Sequence, residues 1–363
     1  MNATTDQALL ARLRLRAQAI APGVSASPAD VVAHLGAVQA QDYRAALWAV
    51  ALRTPGATRS DVERAIADGT IVRTWPMRGT LHFVAATDAR WMLELLTPRI
   101  QRGAERRHRQ LGLAAEDFAR GRTIVAQALG RDRILCRTAL FAALQQGGIK
   151  TAGQRGIHLL QHLTMDRMLC FGPHAGREPT FTLFDAWLPG AAALDRDESL
   201  RTVAERYFTS HGPATLHDFV WWTGLTVGDA RRALEMAAPA LEGMRSGDTD
   251  YWMACGLRDV GPDAEGAHLL PAFDEILLGY RDRSATLAPK HAGLVVPGAN
   301  GVFQAIMLLD ARVCGTWRRA TGATSTALAL APFVRLGARR RGMFGAAAER
   351  YAQFLGTPVT ISA

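Results

Sequence analysis

Lysine is almost missing from this sequence: of 42 basic residues only Lys150 and Lys290 are lysines, and the other 40 are arginines. Against 33 acids the basic residues leave a formal charge of +9. A GC-rich genome, which trades Lys codons for Arg codons, explains the arginine share by itself. The positive excess is a separate signal, and it favours a polyanionic partner without identifying one. Cysteine is scarce too. Cys136, Cys170, Cys255 and Cys314 stand far apart with no C-x-x-C pair, which excludes a zinc knuckle and a disulfide framework and leaves them as expected reduced, buried thiols. No apolar run reaches the roughly 18 residues of a membrane span. The N-terminus alternates Arg12, Leu13, Arg14, Leu15 and Arg16 instead of building a signal-peptide core. A soluble, cytoplasmic protein without a membrane partner is expected.

The common catalytic signatures are absent as well. There is no G-x-S-x-G elbow, Walker A sequence or dinucleotide fingerprint, so the corresponding hydrolases, NTPases and dinucleotide enzymes are excluded, and no cofactor is expected. Among histidines, His158 and His162 are four apart, but Leu159 stands where a zinc protease requires Glu, and no third ligand is signalled. No metal is expected. His82 and His291 read as hydrogen-bonded structural residues.

What is present is a folded chain of ordinary composition, 48% hydrophobic and 21% charged, long enough at about 100–200 residues per domain for two to four domains. Ser27-Pro28-Ala29-Asp30 supplies an N-cap, a proline at the first helical position and an acid at the third, predicting a helix through Val31, Leu35 and Val38. Ser60-Asp61-Val62-Glu63 reads as another helix start, stopped by Gly69. Two β-prone runs, 71–75 and 80–84, joined by Pro76 and Gly79, predict a hairpin. Helix, helix, hairpin is the winged helix-turn-helix order. The grammar recurs with helices at 138–145 and 157–164 before strands at 168–171 and 181–184. It recurs again with helices capped by Thr215 and Thr226 before a hairpin of 241–244 and 251–254. After Gly261-Pro262-Asp263, short apolar runs at 269–273, 293–296, 302–309 and 313–317 predict a small β-unit, followed by Arg339, Arg340 and Arg341 and then a helix over 345–355. The expected fold is α+β: three tandem winged helices at 1–115, 116–190 and 191–260, then a C-terminal β-barrel with a terminal helix at 261–363.

Winged helices with a positive charge argue for nucleic-acid binding. A helix from Thr97 would carry Arg99, Arg102, Arg106 and Arg109 on one face, a stripe able to neutralise phosphates. The alternative is a solvated face paired with Glu94, Glu105 and Glu116. Trp317-Arg318-Arg319 and Arg339–Arg341 offer the same choice. One further segment stands out, Gln39-Ala40-Gln41. Residues two apart share a face in an extended chain but diverge by about 200° on a helix. The two amides therefore converge only if the preceding helix ends near Val38; otherwise they are polar residues at a helix end.

Together these segments resemble the winged-helix DNA glycosylases typified by AlkZ and YcaQ, whose catalytic signature is Gln, an apolar residue, then Gln or Asp. Gln39-Ala40-Gln41 fits the Gln–Gln form, Arg73 to His82 is similar to the family's first wing, and Leu269 to Arg283 and Val313 to Arg318 are similar to its barrel segments. Asp310-Ala311 departs from the Asp-Gly that a hairpin turn there would prefer. The resemblance implies a monofunctional DNA glycosylase acting on bulky or crosslinking N7-alkylguanine lesions, with a place in self-resistance to a DNA-alkylating natural product. It implies Gln39 and Gln41 as catalytic residues and Asp42 as a helper. DNA contacts are then expected from Arg73, Trp75, Arg78 and His82, from Arg99, Arg102, Arg106 and Arg109, and from Arg281, Arg283 and Arg318. The implied partner is double-stranded DNA containing alkylated guanine, with no obligate protein partner. Neither lysine lies in a signature segment, which favours hydrolysis without a lyase step. Two other classes fit the fold: a non-catalytic winged-helix DNA-binding regulator or drug-sequestering protein, and a protein-interaction scaffold. The glutamine pair favours the enzyme.

Overall fold

The computed structural model describes residues 3–20, 27–259, 266–321 and 326–362. The chain divides into two compact units, residues 1–62 with 200–363 and residues 63–199. This division runs differently from the four expected segments, because its first boundary falls inside 1–115. Val260 and the expected junction at Gly261-Pro262-Asp263 lie outside the described residues. Among the described residues no helix is long and apolar enough to cross a membrane.

In the first unit, local capping chemistry sets the helices where the side chains demand it. Ser27 accepts from the Asp30 amide and opens the helix Pro28–Leu35. Gly36, at φ +74°, closes it three residues short of the Val38 expected from periodicity. Thr215 with Asp218 and Thr226 with Asp229 cap the helices Leu216–Thr223 and Val227–Ala237. A hairpin of Leu241–Ser246 and Thr249–Ala254 follows. At the C-terminus, five strands form one sheet in the order Val359–Ser362, Thr326–Pro332, Arg312–Thr321, Ile306–Leu309, Ala267–Leu270. Only the first pair is parallel. The expected barrel is thus a curled half-barrel: its two outer strands do not pair with each other, and the helix Ala338–Leu355 packs against both of them.

Two expectations change in this region, and the turn at Asp310-Ala311 keeps its form. The run 293–296 is helical rather than extended, as Ala292–Val295, because Pro289 opens a helical turn just before it. The terminal helix begins at Ala338, so Arg339, Arg340 and Arg341 form its first turn instead of preceding it. Asp310 and Ala311 both take positive φ, 49° and 64°, and Leu309 pairs with Arg312. The turn therefore keeps the two-residue form that favours Asp-Gly, with a strained Ala in glycine's place.

The second unit is built on apolar packing. The hairpin Ile71–Met77 and Thr80–Ala85 turns at Arg78 and Gly79, with φ of 53° and 69°. Its first strand runs through Pro76, where the ladder loses register between Thr74 and Met77. The helix before it starts at Arg59, capped by Thr58 and Asp61, so its capping box lies two residues earlier than the Ser60–Glu63 box expected. The arginine-bearing helix spans Ala89–Gln110 and starts well before Thr97, with Pro98 inside it. An interior proline costs about 3 kcal/mol, but Trp91, Met92, Leu93, Leu95 and Leu96 bury the first half of this helix and outweigh that cost. Helices Ala115–Asp132, Arg137–Gln146 and Arg155–Met165 accompany a sheet in the order Ile134–Cys136, Thr180–Leu183, Leu169–Phe171. The strand Ile134–Cys136 was not expected, being only three residues long.

All four cysteines are free. Burial pushes the Cys170 thiol far up and the Cys314 thiol up to about 11, whereas Cys255 is exposed, contrary to the expectation of four buried thiols.

Candidate active site and DNA-facing surface

The glutamine segment is non-helical, a short strand that bends at Gln41 and Asp42. Gly36 ends the helix, Val38–Gln39 is strand, and the next helix, Tyr43–Arg53, begins only after Asp42. Burial alternates along it, with Val38 and Ala40 buried, Gln39 half-buried and Gln41 exposed. This period of two meets the condition for Gln39 and Gln41 to share a face. Asp42 is the N-cap of the following helix, its Oδ1 accepting from the Ala45 amide at 3.1 Å. One of its oxygens therefore has a structural task.

A buried carboxylate holds the segment from behind. Glu275 Oε1 accepts from the backbone N–H of Gln39 at 3.2 Å, and Oε2 accepts from Trp222 Nε1 at 3.0 Å. His211 Nε2 lies 3.5 Å from the same Oε2, with both side chains essentially inaccessible. The Ser210 hydroxyl donates to the Arg206 carbonyl at 2.7 Å, so at its 2.8 Å contact with His211 Nδ1 the imidazole is the donor. Burial lowers the pKa of His211, with Glu275 opposing the shift. The Tyr207 ring stacks on the imidazole at 4.8 Å. Gly36 lies against the Trp222 ring: a Cβ there would stand 3.4 Å from it.

The neighbouring residue anchors the same corner. Asp274 takes Arg53 bidentately at 2.8 and 2.9 Å and also caps the turn Glu275–Leu278 through the Ile276 amide. The remaining Arg53 donors reach the Gln18 carbonyl, the Gln18 side chain and the Ala49 carbonyl, so all five N–H groups of this inaccessible guanidinium are used. Glu275, His211, Trp222 and Arg53 were not singled out in the sequence. Asp274 and Glu275 fall in the Leu269–Arg283 segment that carries the resemblance, but nothing local marks an isolated buried acid.

The expected DNA contacts separate by exposure. In the second unit Arg99, Arg102, Arg106 and Arg109 are all exposed on one helix; Arg109 pairs with Glu105 at 3.9 Å, whereas Glu94 pairs with Arg167 instead. Arg73, Trp75 and His82, also expected as DNA contacts, are buried. Arg73 lies over the Phe171 ring at 5.1 Å and Trp75 packs against the same ring. His82 donates from Nδ1 to the Thr80 carbonyl at 3.0 Å and accepts Arg78 Nη2 at 3.2 Å, so it supports the half-exposed Arg78 at the tip. Hydrophobic residues bury both faces of this hairpin, and alternation alone cannot mark an outward face there.

In the first unit Arg281 is exposed. The guanidinium of Arg283 stands 5.5 Å from the centroid of the exposed Trp221 and 5.1 Å from that of Phe303. Arg318 is exposed at the edge of a cleft of about 300 Å³ that Asp42, Arg44, Trp48, Trp317 and Tyr351 also line. Next to the end of the glutamine segment the cleft is thus lined by both cationic and aromatic side chains.

His158 and His162 do gain a third imidazole, His108, at centroid distances of 5.6 and 6.0 Å. The rings meet edge to face, packed with Phe118, and among the described residues no group of three or more His, Cys, Asp or Glu side chains is placed to hold a metal. His291 packs on Phe333 with its Nδ1 buried and unbonded, so it is not the hydrogen-bonded residue expected.

A helical chain ending in a curled half-barrel, with a glutamine pair on a non-helical segment, matches a known class. The family model described as DNA glycosylase AlkZ-like covers residues 32–354, and the chain belongs to that family. It is accordingly a DNA glycosylase homologue, of the hydrolases that act on N-glycosyl bonds. It is similar to the interstrand DNA cross-link repair glycosylase of Streptomyces sahachiroi, at 29% identity over 326 residues, which cover 84% of this chain and 85% of the relative. The solved structure of the Streptomyces sahachiroi DNA glycosylase AlkZ matches with a TM-score of 0.77 and 26% identity, covering all of both chains.

Proposed function

We propose that this protein is a monofunctional DNA glycosylase that hydrolyses the N-glycosidic bond of bulky or crosslinking N7-alkylguanines in duplex DNA, using Gln39 and Gln41. The observation that carries this reading is the non-helical Gln39-Ala40-Gln41 segment, released from the preceding helix at Gly36, in a chain of the AlkZ-like family. An amide is no general base at neutral pH. It does not need to be one here, because alkylation at N7 leaves guanine positively charged. The C1′–N9 bond breaks with its electrons going to the base, which departs neutral, and the barrier falls on the oxocarbenium sugar and the arriving water. Two carboxamide oxygens on one face orient that water and stabilise the sugar cation. The water oxygen bonds to C1′ and its proton passes to solvent. The second oxygen of Asp42 is available to help hold the water.

The exposed Arg99, Arg102, Arg106 and Arg109 and the half-exposed Arg78 on the second unit, and the exposed Arg281 and Arg318 with the half-buried Arg283 on the first, then serve the duplex. Three winged helices, at 1–115, 116–190 and 191–260, are the reading of the helix-and-hairpin order, and they suit a monomer that clasps DNA. A crosslinked guanine is anchored to the other strand and resists ordinary rotation into a pocket. Clasping the duplex and bringing the glutamines to the sugar leaves the adduct in the groove. Such chemistry suits self-resistance to a DNA-alkylating natural product. The test is incubation with duplex DNA carrying N7-alkylguanine. Abasic sites that break only on alkali treatment are expected, and DNA binding without base release would make the protein a regulator or a drug-sequestering factor.

A further inference from the structure

We infer that Glu275 is a positioning residue for base excision: its two carboxylate oxygens, shared between the Gln39 amide and the Trp222 indole, set the placement of the glutamine segment. The inference rests on the proposed role of Gln39 and Gln41. It goes beyond that role by naming the group that fixes the segment and the reason it must be a carboxylate.

The geometry makes the demand specific. Gln39 N–H reaches Oε1 at 3.2 Å and Trp222 Nε1–H reaches Oε2 at 3.0 Å, so two donors converge on one side chain. Only a carboxylate offers an acceptor on both arms; a carboxamide of the same shape offers one oxygen and one N–H₂. The backbone of Glu275 is fixed too, its carbonyl accepting from Gln18 Nε2 at 3.1 Å and from the Gly279 amide at 2.8 Å. The imidazole of His211 stands 3.5 Å from Oε2. Because its Nδ1 already donates to Ser210, its Nε2 in the neutral ring is a lone pair facing the carboxylate. That arrangement tolerates a hydrogen donor at the Oε2 position far better than a second acceptor. Burying an acid in such surroundings is costly, and the hydrogen bond to Gln39 gives it a use.

In isosteric Glu275→Gln the His211 lone pair draws the N–H₂ to the Oε2 side, so the oxygen stays on Gln39. The N–H₂ then opposes the Trp222 indole N–H, forcing that ring to move against Gly36 at the start of the glutamine segment. The segment then shifts, and shifts of about 1 Å at a reacting centre cost on the order of 100-fold in rate. Removing the competing donor reverses the conflict. In E275Q/W222F the carboxamide oxygen accepts from Gln39 while its nitrogen donates to His211 Nε2.

The experiment is single-turnover excision of a guanine carrying a bulky N7-alkyl group from a duplex oligonucleotide, with DNA affinity measured separately, for the wild type, Q39A, E275Q, W222F and E275Q/W222F. The expected result is a fall of about 10- to 100-fold in the excision rate constant of E275Q at unchanged DNA Kd, and recovery in the double variant to the rate of W222F alone. E275Q excising at the wild-type rate while Q39A does not would overturn the inference and leave the glutamine reading standing. Q39A excising at the wild-type rate would overturn that reading itself. If E275Q does not fold, the double variant decides: excision at the W222F rate supports the positioning role, and a folded double variant without excision contradicts it.

Discussion

The two units differ in how far they rely on buried charge. The first puts charges inside and gives each a partner: Arg53 with Asp274, Arg14 with Asp218 at 3.7 Å, and Glu275 with the Gln39 amide and the Trp222 indole. The second buries an apolar core around Trp75, Leu159, Phe171 and Phe181 and leaves His108, His158 and His162 packed on one another. The Nδ1 atoms of His158 and His162 are buried without hydrogen-bond partners. Buried ion pairs add little net stability over apolar packing, but they fix geometry and fail badly when halved. The unit that carries the glutamine segment is thus the one that spends its interior on orientation.

The comparison breaks most readily at Arg53. Arg53→Met leaves Asp274 buried and uncompensated, and a loss of about 3–5 kcal/mol is expected in urea unfolding. A loss below about 1 kcal/mol would show that the polar corner is no anchor.

Acid should act through the imidazoles. Burial is the leading cause of the lowered pKa of His108, His158 and His162 in the second unit, and of His211 and His268 in the first, the last pushed down to about 4. A histidine whose folded pKa lies below its unfolded value of about 6.5 binds fewer protons when folded. The stability it leaves intact above that pH is lost as pH falls through it. Unfolding free energy is therefore expected to drop between pH 7.5 and pH 5. His108→Phe should make that drop shallower; an unchanged slope would exclude the cluster as its source.

The smallest effect is expected at Ala311. Relief of its left-handed strain is worth about 1–2 kcal/mol, and the buried methyl lost is worth roughly 0.8 kcal/mol. Ala311→Gly should gain about 0.5 kcal/mol, read as a rise in the urea midpoint at constant slope.

Legibility in the sequence followed the range of the interactions. Caps such as Ser27 to Asp30 and Thr215 to Asp218 close within four residues, so the helices they open were readable. The start of Ala89–Gln110 was not, because Pro98 argues against a helix that tertiary burial then imposes. Arg73, Trp75 and His82 read as a surface because their pattern resembles a wing, but core packing takes their side chains. Gln39 and Gln41 were visible as a pair and as a resemblance. Their support was not, since Glu275 meets Gln39 across 236 positions, a distance over which no periodicity carries information.

The most direct test of the account is excision of a bulky N7-alkylguanine from duplex DNA by Gln39→Ala/Gln41→Ala under single-turnover conditions, beside a binding measurement. The account predicts loss of base release with DNA affinity nearly unchanged; release at the wild-type rate would contradict it.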